Sequence, residues 1–462
     1  MDLAALKSDL PTIRLEENPR IVQQKSRDFY WYSPVLKRQL ENVTADAVAT
    51  PQNEDDLLLI LGACWRNNVP VTVRGSGTGN YGQAMPLAGG LLIDLSAMNR
   101  IRHVGRGYVV AEAGAVLADI DAAARDSGQE LRLSPSTYRT ASIGGFIAGG
   151  SGGVGSIRWG GLRDAGNIIR LRIAALDGSC PTVMDLTGDA IAKASHAYGT
   201  TGIIIEAEMP LAPAYEWVDV FASFGELEAA VRFAEKLAAA DGLLLKNLAV
   251  MDGAVTPYFT RHAEYVRKGE TLVALMAASF AVTDVLALAA RAGGTVTLRS
   301  DELDEPTRTH LPPAYELSWN HTTLRALRID PAITYLQVLY PQPGIAAKVM
   351  QMAAAFGDEV PTHLEFVRFD GAVGCFGLPL VRFSGEERLD EIIRLHEEAG
   401  CPIFNPHRYT LEEGGMKQTD EAQLAFKRRA DPKGLLNPGK MIAWENPAFD
   451  YGKPYLFPTL AG

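Results

Sequence analysis

A chain of 462 residues, 47% hydrophobic and 21% charged, carries enough apolar mass for two or three cored domains, which excludes a disordered chain. Its net charge of −11 excludes a general nucleic-acid surface, because phosphate binding needs clustered Lys and Arg, and any anionic substrate must meet a local positive site. Four cysteines, Cys64, Cys180, Cys375 and Cys401, stand too far apart for zinc or iron–sulfur spacing and read as core thiols.

The N-terminus MDLAALKSDLPTIR lacks the basic start and apolar run of a secretory signal, so a cytoplasmic location is expected. NEDDLLLILGACWRNN reads as a helix with an acidic start, and VPVTVRG as the strand after it. A glycine-rich loop, RGSGTGN, follows at once. LLIDLS and YVVAEAG read as strands, residues 117–127 as a helix, residues 141–156 (ASIGGFIAGGSGGVGS) as a second glycine-rich loop, and residues 168–176 and 202–209 as strands. Near Pro210 and Pro213 the texture changes, which places a domain border at residue 213.

Beyond it, EWVDVFASF, ELEAAVRFAEKLAAADG and LLLKNLAVM alternate strand, helix and strand. Residues 271–292 are apolar over a spanning length, but Asp284 lies inside them. They are expected to form a strand to about Phe280, then a helix capped by Thr283 or Asp284 and stopped at Gly293-Gly294, with no transmembrane segment. ITYLQVLYP, GIAAKVMQMAAAFG, HLEFVRFDG, AVGCFGLPLVRF and EERLDEIIRLHEEAG repeat the series, so residues 214–429 are expected to form a cap of two α/β halves around one antiparallel sheet. The charges of the last segment fit the wet side of a structural helix.

Gly77, Gly79 and Gly82 satisfy the dinucleotide fingerprint G-x-G-x-x-G, yet no helix follows, as a Rossmann loop requires. The loop must therefore bind phosphate through its own backbone, with Ser76 and Thr78 adding hydroxyl donors. The second segment, with Ser142, Gly144, Gly145, Gly149, Gly150, Gly152 and Gly153, holds more glycine than packing justifies, and the two loops together suit one clamped pyrophosphate.

Four segments in order, VTVRGSGTGN, SPSTYRTASIGGFIAGGSGG, YGTTGIIIEAEMPLAP and DPKGLLNPGKMI, resemble the FAD-linked oxidases of the vanillyl-alcohol oxidase fold, and within them the branch of the glycolate oxidase flavin subunits and D-lactate dehydrogenases. The resemblance implies an α+β protein: a two-subdomain PCMH-type FAD-binding domain over residues 1–213, an α/β cap with an antiparallel sheet over 214–429, and a segment over 430–462 that returns to the FAD domain. It implies FAD held by Arg74, Gly75, Ser76, Gly77, Thr78, Gly79, Asn80, Ser136, Ser142, Gly144, Gly145 and Gly152, with Gly199, Gly202 and Ile204 on the adenosine side and Asn437 and Lys440 in the returning segment. Covalent members carry His where Thr78 stands and Cys near Tyr138, so FAD is expected to be noncovalent, with His407 the only cap histidine placed to bond it otherwise.

D-2-hydroxyacid dehydrogenases of the group hold a metal with H-x-G-D-G-N-x-H and a later E-H-G. The first stretch is absent, and TLEEGGMK has Glu412 for the glutamate but Glu413 for the histidine, so no metal is expected. A side-chain base must then take the substrate proton. Two clusters offer one: Trp319-Asn320-His321-Thr322-Thr323, and Asn405-Pro406-His407-Arg408-Tyr409 with Glu413 after it. In the second, Arg408 would pair with a substrate carboxylate, His407 or Tyr409 would act as base and Glu413 would orient it. His310 and His363 read as solvent or capping residues.

The expected activity is FAD-dependent oxidation of a small hydroxylated molecule, a 2-hydroxy acid or related alcohol. The alternatives are a phenolic or benzylic alcohol oxidase, or a flavin-binding subunit without activity of its own. An electron-acceptor protein or a quinone, and a homodimer, complete the expected partners.

Overall fold

The computed structural model describes residues 2–450 apart from Met416 and Gln418. The helix Glu54–Asn67 forms where its ends are best satisfied: Asn53 accepts a hydrogen bond from the Asp56 amide, three acids occupy the positive first turn, and Asn68 closes the helix at φ 50°. Its buried face, Leu57, Ile60 and Leu61, packs with a four-stranded sheet ordered Leu15–Glu16, Ala47–Ala49, Leu91–Asp94, Val71–Arg74. The last three strands are parallel, so the loop after Val71–Arg74 emerges at their carboxyl edge, where open parallel sheets bind ligands.

A second, antiparallel sheet runs Ile101–Gly105, Tyr108–Glu112, Ile203–Pro213, Arg170–Ala174, Val183–Thr187. One core holds both sheets together and takes in Leu435 and Leu436 from the far end of the chain. The long strand runs through the prolines expected to mark a border, with Pro210 opposite Tyr108 and Pro213 opposite Gln129. Proline is tolerated there because it lies towards the end of the strand, where a missing N–H costs little.

The segment expected to be loop throughout 141–156 contains the helix Ile143–Gly149, capped by Ser142. Gly144 explains it: a Cβ there would stand 2.6 Å from the Ala113 Cβ, so glycine is what lets this helix lie flat on the neighbouring strand. Cys64, Cys375 and Cys401 are buried as expected, but Cys180 is exposed, in the turn between Arg170–Ala174 and Val183–Thr187.

The cap is a seven-stranded antiparallel sheet ordered Thr295–Arg299, Trp217–Phe224, Thr271–Ala278, Leu245–Met251, His363–Phe369, Ala372–Gly377, Val338–Tyr340. Its two halves join where Leu245–Met251 pairs with His363–Phe369. Helices Leu227–Ala238, Val282–Arg291, Ile345–Phe356 and Glu386–Glu398 cover one face with a single core. The other face packs the helix Asn320–Leu327, whose Ala326 shares a core with Phe221, Ala249 and Leu272. The apolar stretch 271–292 is a strand and a helix, as expected, although no side chain caps that helix and Asp284 sits within its first turn. Among the described residues no helix is long and apolar enough to cross a membrane.

The chain's last described segment sews itself back to the first sheet. Val71 donates to the Leu435 carbonyl at 2.8 Å and accepts from the Asn437 amide at 2.7 Å. Lys427, fully buried, donates to the carbonyls of Thr200 and Leu436 and to Asp431 at 2.5 Å.

Candidate active site

The two glycine-rich segments meet across one cavity. Arg74, Gly75, Ser76, Gly77, Thr78, Gly79 and Asn80 line one side; Ser136, Ser142, Gly145, Gly149, Gly150 and Gly152 line the other. They touch at Gly75, where a Cβ would fall 1.9 Å from Ser142 Oγ, and Gly77 turns at φ 67°. Among the described residues no acceptor takes a backbone N–H from residues 75–80. Such a run of unused donors is an anion nest, because buried or half-buried N–H groups need a partner.

Further polar atoms on the same wall are buried without a hydrogen-bond partner, His196 Nε2 and Asn320 Oδ1 among them. Free amides between two loops that leave no room for side chains fit a pyrophosphate, and the orphaned atoms beyond fit the polar edge of a larger cofactor.

Arg74 lines the wall with its side chain turned back onto the loop, and the remaining expected cofactor residues stand behind it. Arg74 folds back onto the carbonyls of Gly75, Ser76, Lys25 and Arg27, so it holds the loop's shape. Gly144, Gly199, Gly202, Ile204 and Asn437 do not line the cavity. Gly199 and Gly202 turn at φ 70° and 136° against Val73 and Ile173, and Asn437 donates to the carbonyls of Gln83 and Tyr198.

Other wall residues escaped the sequence reading: Asp28, Phe29, Tyr32, Gln83, His196, Tyr198 and Gln337. The aromatic run Phe29-Tyr30-Trp31-Tyr32 was the available signal. Buried Asp28 accepts from the amides of Tyr30 and Ala84 and sits with Lys440, which donates to Gly82 O at 2.6 Å; burial raises the Asp28 carboxyl, and the Ala84 amide and Lys440 oppose it.

Replacing Gly75 by alanine is expected to push Ser142 off its cap and wedge the loops apart. Folded protein should be recovered with its affinity for flavin lowered about 30–100-fold, equivalent to ~2–3 kcal/mol, as read by equilibrium titration with FAD. Unchanged affinity would remove this cavity as the cofactor site.

The cap supplies His321 to this wall and keeps His407 away from it. His407 is 2% exposed; Ser33 Oγ lies 2.7 Å from Nδ1 and the Tyr335 carbonyl 3.0 Å from Nε2, so both ring nitrogens are used. Burial depresses its pKa to about 4. Arg408, Tyr409 and Glu413 do not line the cavity either. Tyr409 packs with Leu36, Leu40 and Met85, and Glu413 accepts from Thr410 Oγ1 instead of orienting His407. Glu412 accepts from the amides of Ile442 and Ala443 at the start of the short helix Ile442–Glu445. The fault in the expectation is physical: proximity along a loop does not place side chains on one side of it.

His321 stands in the first turn of Asn320–Leu327. Its Nδ1 is 3.0 Å from Glu316 Oε2, a close approach that falls short of hydrogen-bond alignment, and Arg325 lies 3.5 Å from the same oxygen. Burial alone would raise the Glu316 carboxyl, but His321, Arg325 and Arg139 outweigh it and hold it ionised below the usual range. Among the described residues no group bonds His321 Nε2. Carboxylate, imidazole and an open nitrogen facing a cavity constitute a general base with its orienting group.

Trp319, which starts this helix, is held at φ 53°, strained for a non-glycine residue, by the hydrogen bond that its backbone N–H donates to Glu365 Oε1 at 2.6 Å. Glu365 in turn lies 2.8 Å from His363 Nε2; His363 is therefore a buried strand residue and not the solvent or capping histidine expected. Among the described residues no cluster of His, Cys, Asp and Glu could hold a metal.

Three histidines, His196, His262 and His407, are each depressed from 6.5 to about 4 by burial. Below about pH 6.5 the unfolded chain takes protons that the folded chain refuses, so stability is lost as pH falls from there to about 4. At one pKa unit per 1.4 kcal/mol, each histidine accounts for up to ~3 kcal/mol at the acid end. Urea midpoints between pH 7 and 4.5 should fall, and more gently for His407→Gln; parallel curves would contradict the assignment.

Residues 45–183 match the FAD binding domain family. An uncharacterized FAD-linked oxidoreductase of Mycobacterium tuberculosis is 35% identical over 167 residues, which is 36% of this chain and 35% of that protein. The match thus spans about a third of that relative's length. Glycolate oxidase subunit GlcD of Bacillus subtilis is 25% identical across 86% of this chain and 89% of its own. The solved 4-ethylphenol oxidase from Gulosibacter chungangensis shares the fold, with a TM-score of 0.68 at 18% identity over 95% of this chain and 96% of that one.

Proposed function

We propose that this chain, which carries an FAD-binding domain on the fold of the FAD-linked oxidases, is an FAD-dependent oxidoreductase that removes hydride from the hydroxyl-bearing carbon of a small molecule, a 2-hydroxy acid or related alcohol. The observation that carries this reading is one cavity with unpartnered backbone amides at residues 75–80 on one wall and the His321–Glu316 pair on another.

FAD, when bound, supplies the two-electron acceptor for the hydride. The amides of residues 75–80 and Ser142 would hold its pyrophosphate. His321 Nε2 takes the hydroxyl proton as the C–H bond breaks, so the substrate loses one hydride and one proton and leaves as a carbonyl compound. Glu316, ionised, keeps the Nδ1 proton turned towards itself and stabilises the imidazolium that forms. Trp319 and Gln337 line the wall beside this point. With Thr78 and Tyr138 at the positions that carry the link in covalent members, and His407 enclosed by Ser33 and Tyr335, the flavin is held without a covalent bond.

The Bacillus subtilis relative is named as a subunit, which supports assembly with a partner chain. The test is anaerobic mixing of the flavin-loaded protein with 2-hydroxy acids, sugar lactones and benzylic or phenolic alcohols. One class should bleach the visible flavin band. A bound flavin that none of them bleaches would favour a non-catalytic flavin subunit, and a protein that takes up no FAD would end both readings.

A further inference from the structure

A second cavity adjoins the first along a shared wall of Gly150, Ser151, Gly152, His196, Trp319 and Gln337. Side chains alternate along the strand His363–Phe369, so Glu365, Val367 and Phe369 face one way and Leu364, Phe366 and Arg368 the other. Leu364 and Phe366 belong to the helix-covered core, and Arg368 on their side bonds Asp241, so it brings no charge to the cavity. Val367 and Phe369 line the cavity with Leu162, Leu378, Phe404 and Phe376, the last standing opposite Glu365 in the neighbouring strand. The Phe376 ring centre lies 5.6 Å from those of both Phe369 and Phe404, edge-on to the first at 87° and tilted by 57° to the second. These are the spacings and angles of favourable aromatic pairs, and a further ring beside Phe376 would extend the series.

Charge argues the same way. Arg163 is engaged, lying over the Phe369 ring at 4.5 Å and bonding Asp370 at 2.7 Å, and burial keeps His196 neutral with its pKa near about 4. Among the described residues no carboxylate lines the chamber. An acid group placed there would give up its hydration without gaining a partner, which is costly, whereas an uncharged ring gains contact on every side. We infer that the second cavity receives an uncharged aromatic ring carried on the hydroxyl-bearing carbon, which makes the substrate an aryl alcohol. The inference rests on the proposed function for the reacting end alone. With the ring beside Phe376, the carbon attached to it reaches the shared wall, where Trp319 leads into the helix that carries His321. Hydride leaves that carbon for the flavin, the hydroxyl proton passes to His321 Nε2, and an aryl aldehyde or ketone departs. A short 2-hydroxy acid leaves the chamber unused.

The test uses the FAD-loaded protein and two measurements. Calorimetric titration with acetophenone, which has the ring but no hydroxyl to oxidise, should give saturable binding, with 1-cyclohexylethanone and benzoate each weaker by about threefold to tenfold or more. Val367→Phe, which fills the chamber, and Phe376→Ala, which removes its central ring, should each weaken acetophenone by about tenfold with the bound flavin's spectrum unchanged. Anaerobic 1-phenylethanol should then bleach the flavin, with one acetophenone formed per flavin reduced, and faster than lactate does. Acetophenone that does not bind, binds equally in the parent and both variants, or binds no better than benzoate or 1-cyclohexylethanone would overturn the inference, as would equal or faster bleaching by lactate. Chamber-dependent binding of acetophenone with no bleaching by any hydroxy compound would uphold the chamber's assignment and overturn the hydride chemistry instead.

Discussion

His321→Ala should slow anaerobic flavin reduction by the active substrate ~10²–10⁴-fold, the usual contribution of a positioned general base, while leaving the bound flavin's spectrum and affinity in place. The reason for the size lies in the wall: His321 is the histidine there with an unbonded, open ring nitrogen and a carboxylate, Glu316, behind the other. His196 shares the wall, but burial holds its pKa near 4 and its free Nε2 is sealed from solvent. Glu316→Gln should lose less than His321→Ala, since the imidazole would stay in place but lose the carboxylate behind it. The double variant should be no worse than His321→Ala, because the two act as one unit. Rapid-mixing absorbance at the flavin band reads all three. Equal rates in His321→Ala and the parent would move the base elsewhere.

Lys427→Met should be the most damaging single change to the fold, at ~3–5 kcal/mol, the cost of leaving one member of a buried ion pair alone. Asp431 is fully buried and accepts from Lys427 and from the amides of Leu435 and Leu436. That carboxylate shapes the turn that delivers Leu435 and Asn437 to Val71, the residue whose strand carries the first glycine loop. The variant should therefore melt at a lower temperature and lose flavin affinity together, while Lys433→Met, whose Nζ reaches Trp65 O and Asn68 on the surface, should do neither. A Lys427→Met protein as stable as the parent would show that the tail's hold on the first sheet does not depend on this pair.

The two glycine loops were legible in the sequence because chemistry needs them at fixed places: a strand end with no helix behind it, and a second segment too poor in side chains to pack for its own sake. The cap was legible because EWVDVFASF and HLEFVRFDG keep a strand's composition between helices whose apolar residues recur on one side. What resisted reading was always a matter of contact between distant segments. Gly144 looked like cofactor chemistry and is a helix-to-strand contact with Ala113. His407 looked like a base because Arg408 and Glu413 follow it, yet Ser33, more than three hundred and seventy residues earlier, consumes its Nδ1. Glu316 lies five residues before His321 and could have been chosen from the sequence, but only the turn at Trp319, imposed by Glu365 from the neighbouring strand, brings the two together.

The most direct test of the central claim is anaerobic rapid mixing of the flavin-loaded protein with its bleaching substrate, unlabelled and deuterated at the hydroxyl-bearing carbon. Transfer of that hydrogen as hydride requires bleaching to be slower for the deuterated compound in the parent protein, with one carbonyl product per flavin reduced. Equal bleaching rates for the two, together with rates unaffected by His321→Ala, would contradict removal of hydride from carbon at this site.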